Sequence, residues 1–164
     1  MSASQTNQPT FFELLEPGMV QELGSYTFER DEIIEFAAQF DPQRFHLSEE
    51  AAQASNFGAL CASGWHTVSV WMRMNVLNGR PELKRMTGYT GEMPQFGPSP
   101  GVRNVKWLAP VFVGDTITFR STITSKRITP HREGWGMALS HSEGSNQHGT
   151  KVFQMDGAVT LRID

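Results

Sequence analysis

The sequence contains little cysteine, no excess of positive charge and no long apolar segment. Its single cysteine, Cys61, excludes an internal disulfide framework and a multi-cysteine zinc or iron–sulfur site. With 14 Lys and Arg residues against 17 Asp and Glu residues, the formal net charge is −3, which disfavours nucleic acid and an anionic membrane surface as partners. No apolar run approaches the roughly 20 residues that a membrane-spanning helix needs. The polar residues 1–10 also lack the apolar core of a signal peptide, so we expect a cytoplasmic protein that binds no membrane.

The composition suits one compact domain. The chain has 164 residues, of which 38% are apolar, enough to bury one core. Residues 1–10 are polar and without periodicity, and we predict a flexible N-terminal tail there, followed by one domain over residues 11–164. A helix-favouring first half is followed from about Val102 by strand patterns, which indicates the α+β class rather than alternating βαβ units.

The first half predicts three helices. The first begins near Asp31 and ends at Asp41, because Pro42 follows. Ser48 has the side chain of an N-cap for a short second helix. The third, over residues 62–78, is apolar around most of its circumference, which predicts a central helix wrapped by other elements. Residues 78–101 are so rich in glycine and proline that we expect irregular structure over most of that length.

The second half predicts strands. Four segments carry β-branched or alternating apolar residues and are separated by turn residues: 102–108, 115–126, 134–142 and 151–163. A further possible strand covers residues 20–28. Five strands suffice for one antiparallel sheet wrapped around the long central helix.

Asp41 and His46 form the first candidate for a chemical site. A carboxylate and an imidazole five residues apart suit chemistry that adds or removes water, since one group takes a proton while the other holds or returns one. The alternative is structural: Asp41 caps the end of a helix and His46 packs locally.

The second candidate is the run of small residues that leads into the apolar helix, from Gly58 to Trp65. Small residues allow a thioester to approach closely, and free N–H groups at a helix N-terminus hold a developing oxyanion. The structural alternative is that Ser63 caps the helix and Gly64 permits tight packing.

Together these two segments resemble a known family. The stretch from Phe36 to Thr67 is similar to the MaoC-like dehydratases, which include the (R)-specific enoyl-CoA hydratases of hotdog fold. The hydratase pattern is an Asp, four residues, a His, five residues and a small residue, and these places hold Asp41, His46 and Ala52. The segment from residue 105 to residue 115 resembles the strand, Pro-containing turn and Gly-Asp of the same family.

This resemblance implies a single hotdog domain that acts on an acyl thioester. By analogy, Asp41 and His46 handle a water molecule beside the α,β double bond, and the Gly64 N–H polarises the thioester carbonyl. The further candidates for oxyanion or substrate binding are Ser63, Gln43 and Trp65. The implied substrate is carried by coenzyme A or an acyl carrier protein, and no cofactor or metal is implied. The family builds such sites at a dimer interface, so we expect a homodimer in which the helix of one subunit faces the Asp41–His46 loop of the other.

The departures from the family pattern leave two other functions open. The family usually has Gly before the Asp and Asn-Pro two residues after it, whereas this chain has Phe40 before Asp41, Pro42 directly after it and Gln43 in the place of the Asn. A thioester-binding protein with little catalysis is compatible with these changes. A thioesterase is the third hypothesis, since other hotdog proteins hydrolyse acyl-CoA.

Overall fold

The computed structural model describes residues 8–163. Its single antiparallel sheet contains β1 (Val20–Thr27), β2 (Val102–Trp107), β3 (Thr116–Ile128), β4 (Trp135–Ser145) and β5 (Lys151–Arg162), in the spatial order β1-β3-β4-β5-β2. The α-helices are α1 (Phe11–Leu14), α2 (Arg30–Phe40), α3 (Arg44–Leu47), α4 (Glu49–Gln53), α5 (Gly64–Met74) and α6 (Arg80–Thr87). All five predicted strands are present, and the α+β prediction is confirmed.

The central helix extends further than the sequence analysis predicts. A π-helical turn, Asn75–Gly79, joins α5 to α6, so helical structure continues to Thr87. The prediction of irregular structure is therefore wrong over α6. Pro81 follows shortly after the π-helical turn, and the Gly79 carbonyl accepts a hydrogen bond from Gln21 Nε2 of β1 at 2.9 Å. Gly88, with φ of 66°, then ends the helix in the left-handed conformation.

One face of the sheet packs against the central helix and forms the main core. Trp71 and Met74 of α5 meet a cluster of fully buried side chains from the sheet: Leu23, Ile117, Phe119, Phe153 and Met155. Burying each of these side chains stabilises the fold by about 1.5–3 kcal/mol. This packing fixes the position of the first turn of α5, which carries the candidate site.

The opposite side of the central helix is not covered by the chain itself. Trp65, Met72, Val76 and Leu77 are between 44% and 56% exposed. Neighbouring Trp107 and Leu108, at the end of β2, are each 47% exposed. The sheet wraps around the central helix as predicted, but it covers only one side, so in a single chain the other side of the helix is not buried.

The predicted flexible tail lies mostly outside the described residues. Within them, Thr10 is the N-cap of α1 and forms a capping box with Glu13, so this end of the predicted tail belongs to the fold. Over residues 8–163, no helix has both the length and the hydropathy to cross a membrane.

His66 is a buried histidine in the first turn of α5. Its ring stacks on Phe36 with centroids 4.6 Å apart, and its Nδ1 has no hydrogen-bond partner among residues 8–163. Burial lowers the pKa of His66, and the nearby carboxylate of Glu32 opposes this effect without cancelling it. At neutral pH the folded protein therefore holds this imidazole in its neutral form.

This arrangement predicts a loss of stability in mild acid. Because the folded pKa lies below the unfolded value, the unfolded chain binds the proton more readily once the pH falls below about 6.5. We expect the free energy of unfolding to decrease as the pH falls from 7 to 5, and His66→Phe to reduce that decrease. Denaturant titrations at several pH values measure this, with His131→Phe, a change at an exposed position, as the control. An unchanged pH slope in His66→Phe contradicts the prediction.

Candidate active site

The segment between α2 and α4 positions Asp41 and His46. Pro42 ends α2 at Phe40, and Asp41 occupies the C-cap position. The one-turn helix α3, which the sequence analysis did not predict, follows at once and carries His46 inward until it is only 5% exposed. A sharp helix end and one further turn therefore bring both side chains to the same place.

The hydrogen bonds of His46 define its tautomer. Its Nδ1 lies 2.7 Å from the carbonyl oxygen of Cys61, and because a carbonyl only accepts, Nδ1 carries the proton. In the neutral ring Nε2 is then an acceptor, and it faces Asp41 Oδ2 at 3.5 Å. Asp41 Oδ2 and His46 Nε2 therefore face the same point of the site.

The carboxylate of Asp41 is held on both oxygens. Gln43 Nε2 donates to Oδ1 at 2.8 Å, and Ser63 Oγ donates to Oδ2 at 2.7 Å. Burial raises the pKa of Asp41, but the opposing effects, chiefly these two hydrogen bonds, outweigh it, so the pKa lies below its usual value. Asp41 is thus an oriented anion at neutral pH.

The first turn of α5 has one free backbone donor. Ser63, the N-cap, accepts from Trp65 N with its hydroxyl at 3.2 Å. Its carbonyl accepts from the N–H groups of His66 and Thr67 at 3.0 and 3.2 Å. Within residues 8–163 this leaves the Gly64 N–H without an acceptor, at the positive end of the helix dipole.

The contacts of the Ser63 side chain differ from the predicted ones. The sequence analysis placed Ser63 among the oxyanion or substrate contacts. In the structure it is fully buried, and its hydroxyl donates its hydrogen bond to Asp41 Oδ2. Its side chain orients the carboxylate and caps the helix instead. Moreover, the helix that meets the Asp41–His46 segment belongs to the same chain. The expectation that a partner subunit supplies this helix is therefore wrong.

These groups border one cavity of about 520 Å³. Five of the six predicted site residues line it: Asp41, His46, Gln43, Gly64 and Trp65. Other lining residues, among them Phe45, Phe57, Trp107 and Leu108, were not predicted as site residues. Trp107 lies within residues 105–115, the second segment that resembles the family. That resemblance is the sequence signal that could have identified Trp107 as a site residue.

Three other titratable side chains are buried or paired within the fold. Cys61 is buried, and burial raises the pKa of its thiol to about 11, which does not suit a nucleophile. His141 pairs with Asp156 at 2.7 Å, and Glu143 pairs with Lys151 at 2.5 Å. Across the described part of the chain, no three His, Cys, Asp or Glu side chains are grouped as a metal site would require.

Comparison with known families identifies the class of protein. The family model of the MaoC-like domain matches residues 14–136, and the chain belongs to the MaoC-like dehydratase family. This is the family that the Asp41–His46 motif indicates. The sheet and central helix accordingly form a hotdog domain.

The chain is also similar to individual proteins. The crystal structure of the MaoC-like dehydratase from Rhodospirillum rubrum is 30% identical and superposes with a TM-score of 0.77, covering 92% of this chain and 94% of that one. The uncharacterized protein YdeM of Bacillus subtilis is 25% identical over 145 residues, 88% of this chain and 94% of its own length. The (R)-hydratase from A. caviae, involved in PHA biosynthesis, shares the fold at 24% identity with a TM-score of 0.60, covering 88% of this chain and 96% of that one.

Proposed function

We propose that this protein catalyses the reversible addition of water to 2-enoyl thioesters, which yields 3-hydroxyacyl thioesters. The observation that carries the proposal is the pair of Asp41 Oδ2 and His46 Nε2, 3.5 Å apart, on the cavity that the free Gly64 N–H also borders. Hydration requires a group that accepts a proton from water and a donor for the thioester oxygen. Membership of the MaoC-like family supports the same reaction.

The geometry supports a specific division of roles. A water molecule that contacts both acceptors from the cavity gives a proton to His46 Nε2 while its oxygen bonds to C3 of the substrate. The electrons of the double bond move toward the thioester oxygen, where the Gly64 N–H stabilises the charge. Asp41 stabilises the imidazolium, and the proton then passes to C2. Dehydration is the reverse sequence.

The substrate is proposed to be carried by coenzyme A or by an acyl carrier protein. The polar groups are few and the remaining cavity wall is largely apolar, with Phe45, Phe57 and Leu108 among its members, which suits an acyl chain. No cofactor enters the proposed reaction. A homodimer also stays a proposal: the exposed apolar side chains of the central helix and of β2 support it, because exposed apolar patches often mark protein–protein interfaces. The cytoplasmic location stays a prediction.

The direct test is hydration of crotonyl-CoA and of longer 2-enoyl-CoAs by the wild-type protein. We expect the absorbance of the conjugated thioester to fall and 3-hydroxyacyl-CoA to appear by mass spectrometry. Free thiol is measured in the same reactions. Release of free coenzyme A instead of hydroxyacyl-CoA would make the protein a thioesterase, and tight binding without turnover across the series would make it a thioester-binding protein.

A further inference from the structure

Trp107 lies directly against the first residue of the central helix. A Cβ atom built on Gly64 would be 2.2 Å from Trp107 Nε1, 2.4 Å from Cε2 and 2.5 Å from Cδ1. These three neighbouring ring atoms are almost equally close, so Gly64 faces the plane of the five-membered ring at its nitrogen. The indole could not occupy this position beside any residue with a side chain.

The indole N–H and the Gly64 N–H are two unpaired donors on the same cavity. Neither has an acceptor among residues 8–163, and both residues line the 520 Å³ space that contains Asp41 and His46. Standard bond lengths place the two nitrogens within roughly 5 Å of each other. Two donors that each lie about 3 Å from one oxygen have a separation of this size.

The strand that carries Trp107 is shaped locally. The pairing of β2 with β5 shifts register between Arg103 and Lys106, and Asn104 in between has φ of 53°, a conformation that non-glycine residues rarely adopt. The Asn104 side chain donates to Asp156 of β5 at 2.7 Å, which holds the irregularity in place. Bulges of this kind change the direction of a side chain beside a site. Beyond the bulge, Trp107 pairs with Phe153 and Trp65 packs edge to face on its ring at 5.1 Å.

We propose that Trp107 is a catalytic residue whose indole N–H, together with the Gly64 N–H, binds the thioester oxygen of the substrate. This inference rests on the proposed hydration. As the water oxygen bonds to C3, the electron pair of the double bond moves to C2 and the carbonyl oxygen, and both donors stabilise the resulting enolate until C2 takes the proton. An indole N–H can donate a hydrogen bond but cannot accept one. It therefore binds acceptors, such as the negatively charged oxygen of the enolate, and not other donor groups.

The test is Trp107→Phe, which keeps an aromatic ring at position 107 and removes the N–H. We expect kcat for crotonyl-CoA hydration to fall roughly 100-fold with little change in KM, because the donor acts mainly on the transition state. Trp135→Phe is the matched control. Its indole packs under Arg132, is not among the residues that line this cavity, and its loss should leave kcat unchanged once folding is confirmed.

A second readout does not depend on turnover. Butyryl-CoA has no double bond to hydrate, and the carbonyl stretch of the bound thioester reports its hydrogen bonds. We expect a higher stretching frequency in Trp107→Phe than in the wild type. If Trp107→Phe fails to fold, benzothienylalanine at position 107, which replaces the ring N–H by sulfur, provides the same comparison.

The outcomes separate the two proposals. Wild-type hydration with unchanged kcat and carbonyl frequency in the Trp107 variants overturns the role of Trp107 alone. Absence of hydration by the wild type overturns the proposed function. In that case, a carbonyl frequency of bound butyryl-CoA that is higher in Trp107→Phe than in the wild type still supports Trp107 as a ligand of the thioester. Equal frequencies in the two proteins reject this role.

Discussion

Replacing His46 by glutamine is expected to reduce kcat for 2-enoyl-CoA hydration at least about 100-fold. His46 holds its proton on Nδ1 through the 2.7 Å contact with the Cys61 carbonyl, so Nε2 is the group available to take a proton from water. A glutamine side chain is polar and of similar size but has no basic nitrogen. Steady-state kinetics on crotonyl-CoA, with folding checked by thermal unfolding, measures the effect.

Asp41→Asn tests the other half of the pair in the same assay. The two side chains have nearly the same shape, but the amide has no charge to stabilise the imidazolium and only one acceptor oxygen for the donors Gln43 and Ser63. We expect a comparable loss of kcat. His131→Gln, at an exposed position, is the control for loss of a histidine. Full turnover in both His46→Gln and Asp41→Asn, with an active wild type, would rule out this pair as the acid–base machinery.

Gly64→Ala is expected to have a similarly large effect for a steric reason. The added Cβ would lie 2.2 Å from Trp107 Nε1, so the indole must move away from the start of α5. That movement separates the two donors and changes the cavity wall, and overpacking of this kind also destabilises a fold by about 1–3 kcal/mol. We expect kcat/KM for crotonyl-CoA to fall at least about 100-fold, since the Gly64 N–H loses its alignment with the substrate oxygen.

A pair of companion variants makes the Gly64 experiment specific. Gly157→Ala is the matched control, because a Cβ there meets only Ser140 Oγ at an ordinary 3.8 Å. The double variant Gly64→Ala with Trp107→Ala has room for the new methyl group. We therefore expect Gly64→Ala to cost much less stability in the Trp107→Ala background than in the wild type, as a double-mutant cycle of unfolding free energies would show. If Gly64→Ala keeps the wild-type kcat/KM, the prediction is contradicted, because the indole can then move without affecting the site.

Several features of the site were accessible from local sequence patterns. Pro42 ends α2 where expected, and Ser48 caps α4 by accepting from Ala51 N, because both effects act within a few residues. The Asp41–His46 spacing indicated the family for the same reason. The roles of these residues remain proposals. Ser63 was weighed both as a helix cap and as a substrate contact, and its bond to Asp41 was not foreseen.

The continuation of the central helix illustrates where local patterns fail. Gly79 and Pro81 predict an end to the helix, yet Gln21 on β1 hydrogen-bonds to the Gly79 carbonyl and helical structure continues into α6. This hydrogen bond ties the junction between α5 and α6 to the sheet, and tertiary context of this kind can outweigh intrinsic helix propensity.

By itself, the sequence determined the strands, the end of α2, the cap of α4 and the Asp41–His46 pattern, since each depends on side chains and backbone within one or two turns. Only the tertiary structure decided that Ser63 of the same chain orients Asp41, that one side of the central helix stays uncovered, and that the Trp107 indole lies on Gly64. These contacts join elements far apart in the chain. They follow from strand order, the β2 bulge and the packing of sheet on helix, which no short segment encodes.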